Sequence, residues 1–212
     1  MVRGLYLVTD CGLCGNRPLE DVVHKALVGG AASIQLREKD VSTRFFVEEA
    51  RKIKALAAGF GVPLIINDRI DVALASGADG VHIGQDDMPY AEARRLMGPK
   101  AIIGLSVETW NDVVEAEAFD INYLGVSPVF ETPTKTDTKG NWGLEGLARI
   151  KAYSRHPLVA IGGMNASNAG EAVMAGADCI AVVSAICAAP DPLRASQEIN
   201  DIIQVALKNR GA

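Results

Sequence analysis

The stretch Gly77-Ala78-Asp79-Gly80-Val81-His82-Ile83-Gly84-Gln85-Asp86-Asp87 contains the signal that decides the fold. A glycine that can end a helix comes first, a tight turn follows, and a short apolar run then begins a buried strand. The run ends in glycine and polar residues. In parallel α/β sheets and barrels, ligands bind at the C-terminal ends of the strands. The polar ending therefore also marks the expected position of a functional site.

The same arrangement recurs along the chain. Gly30-Ala31-Ala32-Ser33-Ile34 and Gly176-Ala177-Asp178-Cys179-Ile180 repeat the glycine, the turn and the strand start. Eight apolar runs predict strands over residues 4–8, 32–36, 63–67, 79–83, 101–105, 122–127, 157–161 and 178–183. Helical periodicity predicts helices over 19–29, 43–58, 69–76, 90–97, 109–118, 143–154, 167–175 and 192–209. Ser42, Thr109 and Ser167 stand at three of the expected helix starts. Alternating units with nearly continuous apolar strands predict an α/β fold, a single (β/α)8 TIM barrel, over the competing doubly wound sheet.

Size and charge restrict the class of protein. With 212 residues, 49% of them hydrophobic, the chain is long enough for one sizeable core, and we expect one domain over residues 1–212. The net charge of −5 argues against nucleic acid or an anionic membrane as a partner. No apolar run approaches the roughly 20 residues that span a bilayer, and the N-terminal residues lack the apolar core of a signal peptide. We therefore expect a cytoplasmic protein.

Four cysteines in a cytosolic chain do not indicate a disulfide framework. Cys11-Gly12-Leu13-Cys14 has the CxxC spacing of redox and metal sites, but no second CxxC and no histidine pair completes a ligand set. We interpret it as an incidental pair of loop cysteines. One point stays open, because Cys187 follows the eighth strand, which would neighbour the first strand in a closed barrel.

Two cations follow the second predicted strand. Arg37 and Lys39 are two residues apart, so in an extended chain their side chains leave on one face, which Gln35 shares. Two cations and an amide suit a phosphate or a diphosphate. The alternative is a loop in which the cations pair with Glu38 and Asp40.

Acidic residues follow the next two strands. Asn67 and Asp68 end the third strand, and Asp86 and Asp87 follow the fourth. Neighbouring barrel strands would bring an aspartate from each within reach of one ion, and carboxylates with substrate phosphate oxygens commonly hold Mg²⁺. Helix N-capping is the alternative for either aspartate alone. Both together, beside a cationic strand end, favour a metal site.

Other segments predict a second anion site. The polar loop 132–141 interleaves threonine and lysine, a composition that suits an anion and a closing lid. Gly162-Gly163 after the seventh strand and Ser184 after the eighth occupy the usual phosphate position of a barrel, where backbone N–H groups meet the anion.

The remaining polar candidates point to no nucleophile. His24, His82 and His156 form no constellation, and we interpret them as structural histidines. Ser106 ends the fifth strand without a partnered base in the sequence, so we interpret it as a ligand contact.

Six motifs, in order and spanning almost the whole chain, resemble the thiamine-phosphate synthase family. They are Gln35-Leu36-Arg37-Glu38-Lys39, Ile66-Asn67-Asp68-Arg69, Gly80-Val81-His82-Ile83-Gly84-Gln85-Asp86-Asp87, Thr132-Pro133-Thr134-Lys135-Thr136-Asp137, Ala160-Ile161-Gly162-Gly163 and Val182-Val183-Ser184-Ala185-Ile186. The resemblance implies a (β/α)8 transferase. Such an enzyme joins 4-amino-2-methyl-5-(diphosphooxymethyl)pyrimidine, here the pyrimidine diphosphate, to a thiazole phosphate, giving thiamine phosphate and pyrophosphate.

The resemblance also implies roles for individual residues. The pyrimidine diphosphate would contact Gln35, Leu36, Arg37, Glu38, Lys39, Asn67, Ser106 and Lys135. The thiazole phosphate would contact Thr132, Pro133, Thr134, Gly163, Val183 and Ser184. Asp68 and Asp87 match the Mg²⁺ ligands.

The implied catalysis is electrostatic. Arg37, Lys39 and Lys135, with Mg²⁺, would stabilise the departing diphosphate before the thiazole nitrogen attacks a carbocation-like pyrimidine methylene. Glu108 departs from the family pattern, because a histidine often stands at this position, and the contact made there stays open.

Three other functions are compatible with parts of this pattern. A thiazole tautomerase-like isomerase on the same fold would need neither a diphosphate nor a metal, and Arg37, Lys39 and Asp68 argue against it. A non-catalytic sensor of thiazole phosphate or thiamine phosphate would make the full set of cations and metal ligands superfluous. A phosphosugar isomerase would need a paired acid and base for enolisation, which the sequence does not show.

Overall fold

A computed structural model of the chain describes residues 3–132 and 140–211. Within them, eight parallel strands close a barrel in sequence order. The strands are β1 (Gly4–Val8), β2 (Ala31–Leu36), β3 (Leu64–Asn67), β4 (Gly80–Ile83), β5 (Ile102–Val107), β6 (Tyr123–Val126), β7 (Leu158–Ala160) and β8 (Cys179–Val182). The predicted TIM barrel is confirmed, and the ends of the predicted strands differ from the observed ends by at most two residues.

Helices alternate with the strands and form the outer ring. They are α1 (Leu19–Val28), α2 (Thr43–Ala58), α3 (Ile70–Ser76), α4 (Tyr90–Met97), α5 (Trp110–Ala116), α6 (Gly143–Tyr153), α7 (Ala169–Met174), α8 (Ser184–Cys187) and α9 (Pro192–Arg210). The sequence did not predict the four-residue α8 or the 3₁₀ turn Cys11–Cys14, because four residues are too few to show helical periodicity.

Local side-chain hydrogen bonds determine where several helices begin. Ser42 caps α2 by accepting a hydrogen bond from a backbone N–H of the first turn, as predicted. Thr109 caps α5 and forms a reciprocal capping box with Asp112. At α7 the prediction is wrong, because Asn168 and not Ser167 holds the N-cap position.

The repeated glycine-containing turns anchor the starts of strands. Asp79 Oδ2 accepts a hydrogen bond from the backbone N–H of Leu64 at the start of β3 (2.7 Å) and pairs with Lys54 of α2 at 2.6 Å. Asp178 holds Leu158 at the start of β7 in the same way (3.0 Å). An asparagine before β6 accepts a hydrogen bond from a backbone N–H of β5. Each of these three turns is therefore tied to the preceding strand, although only those of Asp79 and Asp178 belong to the repeat seen in the sequence.

Two apolar layers lie on opposite faces of the strands, since successive side chains of a strand alternate. Leu5 and Leu7 of β1 point outward, into the layer between the strands and the helices. Tyr6 and Val8 point into the barrel. The inner layer consists of Tyr6, Val8, Ile65, Tyr123, Val159, Cys179 and Ala181. It fills the barrel interior and forms a floor beneath the C-terminal ends of the strands.

α9, the longest of the described helices, completes the ring by packing against α1 and α7. Asp191 caps its first turn and Pro192 occupies its first position. Near its end, Arg210 donates hydrogen bonds to two carbonyl oxygens at the end of α7 and pairs with Asp178 at 2.8 Å. In the described part of the chain, no helix combines the length and the apolar character needed to cross a membrane.

Candidate functional site

A cavity of about 350 Å³ opens at the C-terminal ends of the strands, the end at which the sequence predicts a site. It is lined by eleven of the predicted site residues, namely Gln35, Arg37, Lys39, Asn67, Asp68, Asp87, Ser106, Thr132, Gly163, Val183 and Ser184. Asp86 and Glu108 also line it. The predicted contacts Pro133, Thr134 and Lys135 lie outside the described residues.

Two of the residues implied by the resemblance lie on the opposite face of the β2 segment. Leu36 is fully buried in the outer apolar layer, and neither it nor Glu38 lines the cavity. Gln35, Arg37 and Lys39 do, as expected for alternating side chains. The side chains of Gln35, Arg37 and Lys39 can therefore contact a ligand in the cavity.

Arg37 faces the cavity from the rim of β2. Its Nη1 lies 3.9 Å from Asp10 Oδ2 in the loop after β1. Its backbone N–H donates to Thr9 Oγ1 at 3.0 Å, which fixes the strand end. The carboxylate beside Arg37 is therefore that of Asp10, whereas the alternative from sequence named Glu38 and Asp40. Because the contact with Asp10 is long and half-exposed, the guanidinium can still donate to an anion in the cavity.

Asp68 and Asp87 meet across the ends of β3 and β4. Asp68 has φ 62, the one positive φ outside glycine among residues 3–132 and 140–211, and its backbone N–H donates to His82 O at 2.8 Å. Asp87 Oδ2 accepts a hydrogen bond from Gly84 N at 2.6 Å. Burial, together with a hydrogen bond to Asp87 and the charge of Asp87, raises the pKa of Asp68 to about 6.

This pair of carboxylates fits a magnesium ion. Two carboxylates that repel each other in the absence of a cation border the cavity beside Lys39 and Arg37, where a polyphosphate would supply further oxygens. A divalent cation would relieve the repulsion that raises the pKa of Asp68.

A chain of five polar side chains crosses the floor of the cavity. Gln35 Nε2 donates to Tyr6 OH at 3.0 Å, and Tyr6 OH lies 3.0 Å from Tyr123 OH. His82 bridges Tyr123 OH (3.1 Å from Nδ1) and Ser106 Oγ (2.8 Å from Nε2). Burial raises the pKa of both tyrosines, so both stay neutral and can donate hydrogen bonds. The floor is thus polar but uncharged near its tyrosines.

The sequence analysis missed this floor. Tyr6 and Tyr123 were not singled out. His82, which we interpreted as a structural histidine, has both ring nitrogens hydrogen-bonded within the floor and also lines the cavity. Two glycines inside strands were the available signal. A Cβ at Gly104 would lie 2.0 Å from the Tyr123 ring, and one at Gly125 would lie 2.8 Å from His82.

The other two histidines lie away from the cavity. His156 is buried, with Nε2 3.2 Å from the carbonyl oxygen of Ala116. His24 of α1 contacts the ring of Phe60 edge to face. Neither contact involves a residue of the cavity.

Glycines after β7 form the opposite wall. Gly162 and Gly163 have φ values of 96° and 65°, and a Cβ would come within 2.5 Å and 2.6 Å of the loop after β6. Only glycine fits this close approach without strain. Thr132, Val183 and Ser184 line the cavity beside them. This wall offers backbone and hydroxyl groups, whereas the wall at β2 offers cations.

Comparisons with known proteins agree with this geometry. A sequence model of the family described as thiamine monophosphate synthase matches residues 5–186. A thiamine-phosphate synthase of Albidiferax ferrireducens is 55% identical over 94% of this chain and 91% of that protein. One of Leptospira biflexa is 52% identical over 99% of this chain and 98% of that protein. The solved structure of a thiamine phosphate pyrophosphorylase from Pyrococcus furiosus superposes with a TM-score of 0.89, at 40% identity and covering 96% of each chain.

The match with the family extends over both walls of the cavity, since residues 5–186 include each predicted site residue and all eight strands apart from Gly4 of β1. At this identity and coverage, the chain shares its barrel fold with these relatives. The chain belongs to the thiamine monophosphate synthase family.

Proposed function

We propose that this chain condenses the pyrimidine diphosphate with thiazole phosphate, giving thiamine phosphate and pyrophosphate. The observation that carries the proposal is one cavity with two unlike anion-binding walls. Arg37, Lys39 and the pair Asp68–Asp87 line one wall, and Gly163 with Ser184 lines the other. Two phosphorylated reactants could bind there with their reacting carbon and nitrogen between the walls.

The diphosphate would bind at the wall formed by β2, β3 and β4. The Arg37 guanidinium is suited to two oxygens of one phosphate, and the Lys39 ammonium at the rim to the outer phosphate. Mg²⁺ held by Asp68 and Asp87 would neutralise charge on the diphosphate oxygens. Asn67, next to Asp68, adds an amide that lines the same wall.

The reaction requires the C–O bond between the pyrimidine methylene and the diphosphate to break, with the electron pair leaving on the diphosphate oxygen. Arg37 and Lys39 would lower the barrier by meeting the charge that develops on that oxygen. Lys135, which the family resemblance assigns to the same diphosphate, would add a third cation. No protein nucleophile is needed, because the aminopyrimidine can support positive charge on the methylene until the thiazole nitrogen attacks.

The floor would hold the pyrimidine ring. Ser106 Oγ and the His82 ring line the cavity, with His82 fixed by its hydrogen bonds to Ser106 and Tyr123. The fully buried tyrosines beneath them keep this part of the cavity dry, which protects a cationic methylene from water. The floor would thus orient the ring without taking part in bond breaking.

The thiazole phosphate would bind at the glycine wall. Backbone N–H groups near Gly163 and Val183, with the hydroxyls of Thr132 and Ser184, form an uncharged phosphate site typical of barrels. Pro133 and Thr134 extend this assignment by resemblance. Binding a phosphate with neutral donors at this wall would leave the cations of the other wall for the diphosphate.

A reconstituted reaction tests the proposal. The purified protein is incubated with pyrimidine diphosphate, thiazole phosphate and Mg²⁺, and thiamine phosphate and pyrophosphate are both measured, with EDTA in a parallel sample. Equal amounts of both products, abolished by EDTA, are expected. Thiazole isomerisation without pyrophosphate would indicate the tautomerase alternative, and binding of thiazole phosphate without turnover would indicate the sensor. Either of these results would overturn the proposal.

A further inference from the structure

Three potential metal ligands meet outside the cavity, on the far side of β2. They are Cys11 in the 3₁₀ turn after β1, Glu38 in the loop after β2 and Glu49 on α2. One ligand atom of each lies within 4.8 Å of the others. None of the three lines the cavity at the barrel mouth. The cluster therefore belongs to a second location, separate from the Asp68–Asp87 pair.

Two carboxylate oxygens in this cluster are buried without a hydrogen-bond partner. Glu49 is only 7% exposed, because it lies on the face of α2 that carries Phe46 and Ala50 toward the core. Among the residues that the structure describes, its Oε2 has no hydrogen-bond partner, and neither does the buried Oε1 of Glu38. A buried polar atom without a partner is unfavourable and rare in folded proteins. Both oxygens point to a ligand that they could bind.

The surrounding groups do not neutralise the carboxylates of Glu38 and Glu49. The Cys11 thiol lies beside the Glu38 carboxyl group and adds no positive charge. Lys52 is the cation that affects Glu49, yet its ammonium is exposed and lies 3.3 Å from Glu20. Burial and the charge of Glu38 raise the pKa of Glu49 to about 7, consistent with carboxyl groups that lack a cation.

We propose that Cys11, Glu38 and Glu49 bind a divalent transition-metal ion of the zinc class. The thiolate and one oxygen from each carboxylate would supply three ligands, and water would complete a tetrahedral set. The sulfur ligand argues against Mg²⁺ and Ca²⁺, which select oxygen. Binding would release the thiol proton to solvent, because the thiolate is the ligand.

Only the first cysteine of the CxxC belongs to this site. Cys14 is buried and its thiol donates to the carbonyl oxygen of Asp10 at 3.4 Å. It also lies within hydrogen-bonding range of Cys187. From the sequence we interpreted the two cysteines of the CxxC as an incidental pair. In this proposal they have different roles, because Cys11 is a metal ligand and Cys14 is a packed loop thiol.

The proposed ion would influence the cavity indirectly, from the opposite side of the β2 segment. Glu38 stands between Arg37 and Lys39, whose side chains line the cavity, and Cys11 follows Asp10, which lies beside Arg37. An ion on Glu38 would tie this cationic segment to α2 and to the turn after β1. This positioning effect does not depend on which reaction the cavity catalyses.

Cobalt titration of the whole protein tests the site. Co²⁺ replaces Zn²⁺ in such sites, and a sulfur-to-cobalt charge-transfer band in the near ultraviolet reports a thiolate ligand. We expect the band to saturate at one equivalent of Co²⁺ and to vanish when Zn²⁺ is added. Cys11→Ser should abolish the band, and Glu49→Gln, which keeps the shape of the side chain, should weaken Co²⁺ binding at least about tenfold.

Matched controls separate this site from others. Glu48→Gln changes the exposed neighbour of Glu49 and should leave the titration unchanged. Asp68→Asn should also leave the charge-transfer band unchanged, because Asp68 belongs to the cavity. Cys14→Ala should keep the band if Cys11 is the sulfur ligand. Circular dichroism on each variant confirms that it is folded.

Several results would overturn the proposal. They are the absence of the band in the unmodified protein, its persistence in Cys11→Ser, its loss in folded Cys14→Ala or Asp68→Asn, and equal affinities of Glu49→Gln and Glu48→Gln for Co²⁺. If Glu49→Gln does not fold, the Cys11→Ser and Cys14→Ala pair decides the question alone.

Discussion

The carboxyl groups of Asp68 and Asp87 come together at the ends of two neighbouring strands, where burial and the charge of Asp87 raise the pKa of Asp68. Because two bare carboxylates this close repel each other, protonation of Asp68 is favoured when no cation is bound. A proton and a divalent cation therefore compete for the same oxygens. This competition makes the metal dependence of the reaction a function of pH.

We expect the apparent affinity for Mg²⁺ to weaken as the pH falls through about 6, the value to which burial and Asp87 raise the pKa of Asp68. The affinity for Mg²⁺ falls on acidification because the raised pKa lets Asp68 take up a proton at a higher pH than an ordinary aspartate. The bound proton then excludes the metal. Initial rates as a function of Mg²⁺ concentration, at about pH 7.5 and about pH 5.5, measure this change in apparent affinity. An unchanged half-saturating Mg²⁺ concentration would show that Asp68 is not a ligand.

Replacing Arg37 by alanine should lower kcat/KM by about 100-fold to 1000-fold, roughly 2.7 to 4 kcal/mol of transition-state stabilisation, because a cation facing the leaving diphosphate is lost. Arg37→Lys should recover only part of the loss, since an ammonium cannot bind two oxygens in the fork geometry of a guanidinium. Arg3→Ala, an exposed cation outside the cavity, is the matched control. Equal losses in the Arg37→Ala and Arg3→Ala variants would exclude the assigned role.

Lys135→Ala should reduce turnover sharply and leave the melting temperature unchanged. The expectation rests on the family resemblance, which assigns this lysine to the diphosphate. Steady-state kinetics and a thermal melt of the same preparation measure the two quantities. Turnover close to that of the unmodified enzyme would remove Lys135 from the catalytic set.

The fold could be read from sequence because its signals are local. A glycine, a turn and an apolar run recur in three of the units, and polar or glycine residues follow nearly every run. Both the barrel and the end at which its site lies therefore follow from short segments. The nearness of Asp68 to Asp87 was predictable on the same grounds, because neighbouring strands of a barrel end side by side. The structure adds the raised pKa of Asp68, which depends on burial.

What escaped the sequence analysis depends on contacts between distant segments. Tyr6 and Tyr123, which are 117 residues apart in the chain, meet at their hydroxyl groups only because the barrel closes. Glu38 was grouped with its cationic neighbours by resemblance, although strand alternation turns it toward Cys11 and Glu49. The alternation of side chains along the strand could therefore have predicted the position of Glu38. The resemblance to a family motif assigned Glu38 to the diphosphate instead.

Gly104→Ala should destabilise the protein by several kcal/mol, because its Cβ would lie 2.0 Å from the fully buried ring of Tyr123. Overpacking of a filled core costs about 1 to 3 kcal/mol or more, and here the floor of the cavity must also shift. Gly211→Ala is the control, since its nearest atom would be 3.5 Å away. Urea denaturation of both variants measures the difference in the free energy of unfolding, and indistinguishable midpoints would contradict the expectation.

Asp178→Asn should destabilise the barrel by about 1 to 3 kcal/mol, because it weakens the acceptor that holds the start of β7 and removes the charge that pairs with Lys151 and Arg210. Although burial opposes the charged form, the hydrogen bonds from Lys151 and the Leu158 backbone keep the pKa of Asp178 below its usual value. A lowered carboxyl pKa stabilises the fold above the usual aspartate value, and this contribution is lost as the pH falls through the lowered pKa. The stability difference between the parent and Asp178→Asn, measured by urea denaturation, should therefore be constant near neutral pH and shrink below about pH 4. Asp201→Asn, an exposed change on α9, should show no such difference, and a difference for Asp178→Asn that grows on acidification would contradict the assigned pairing.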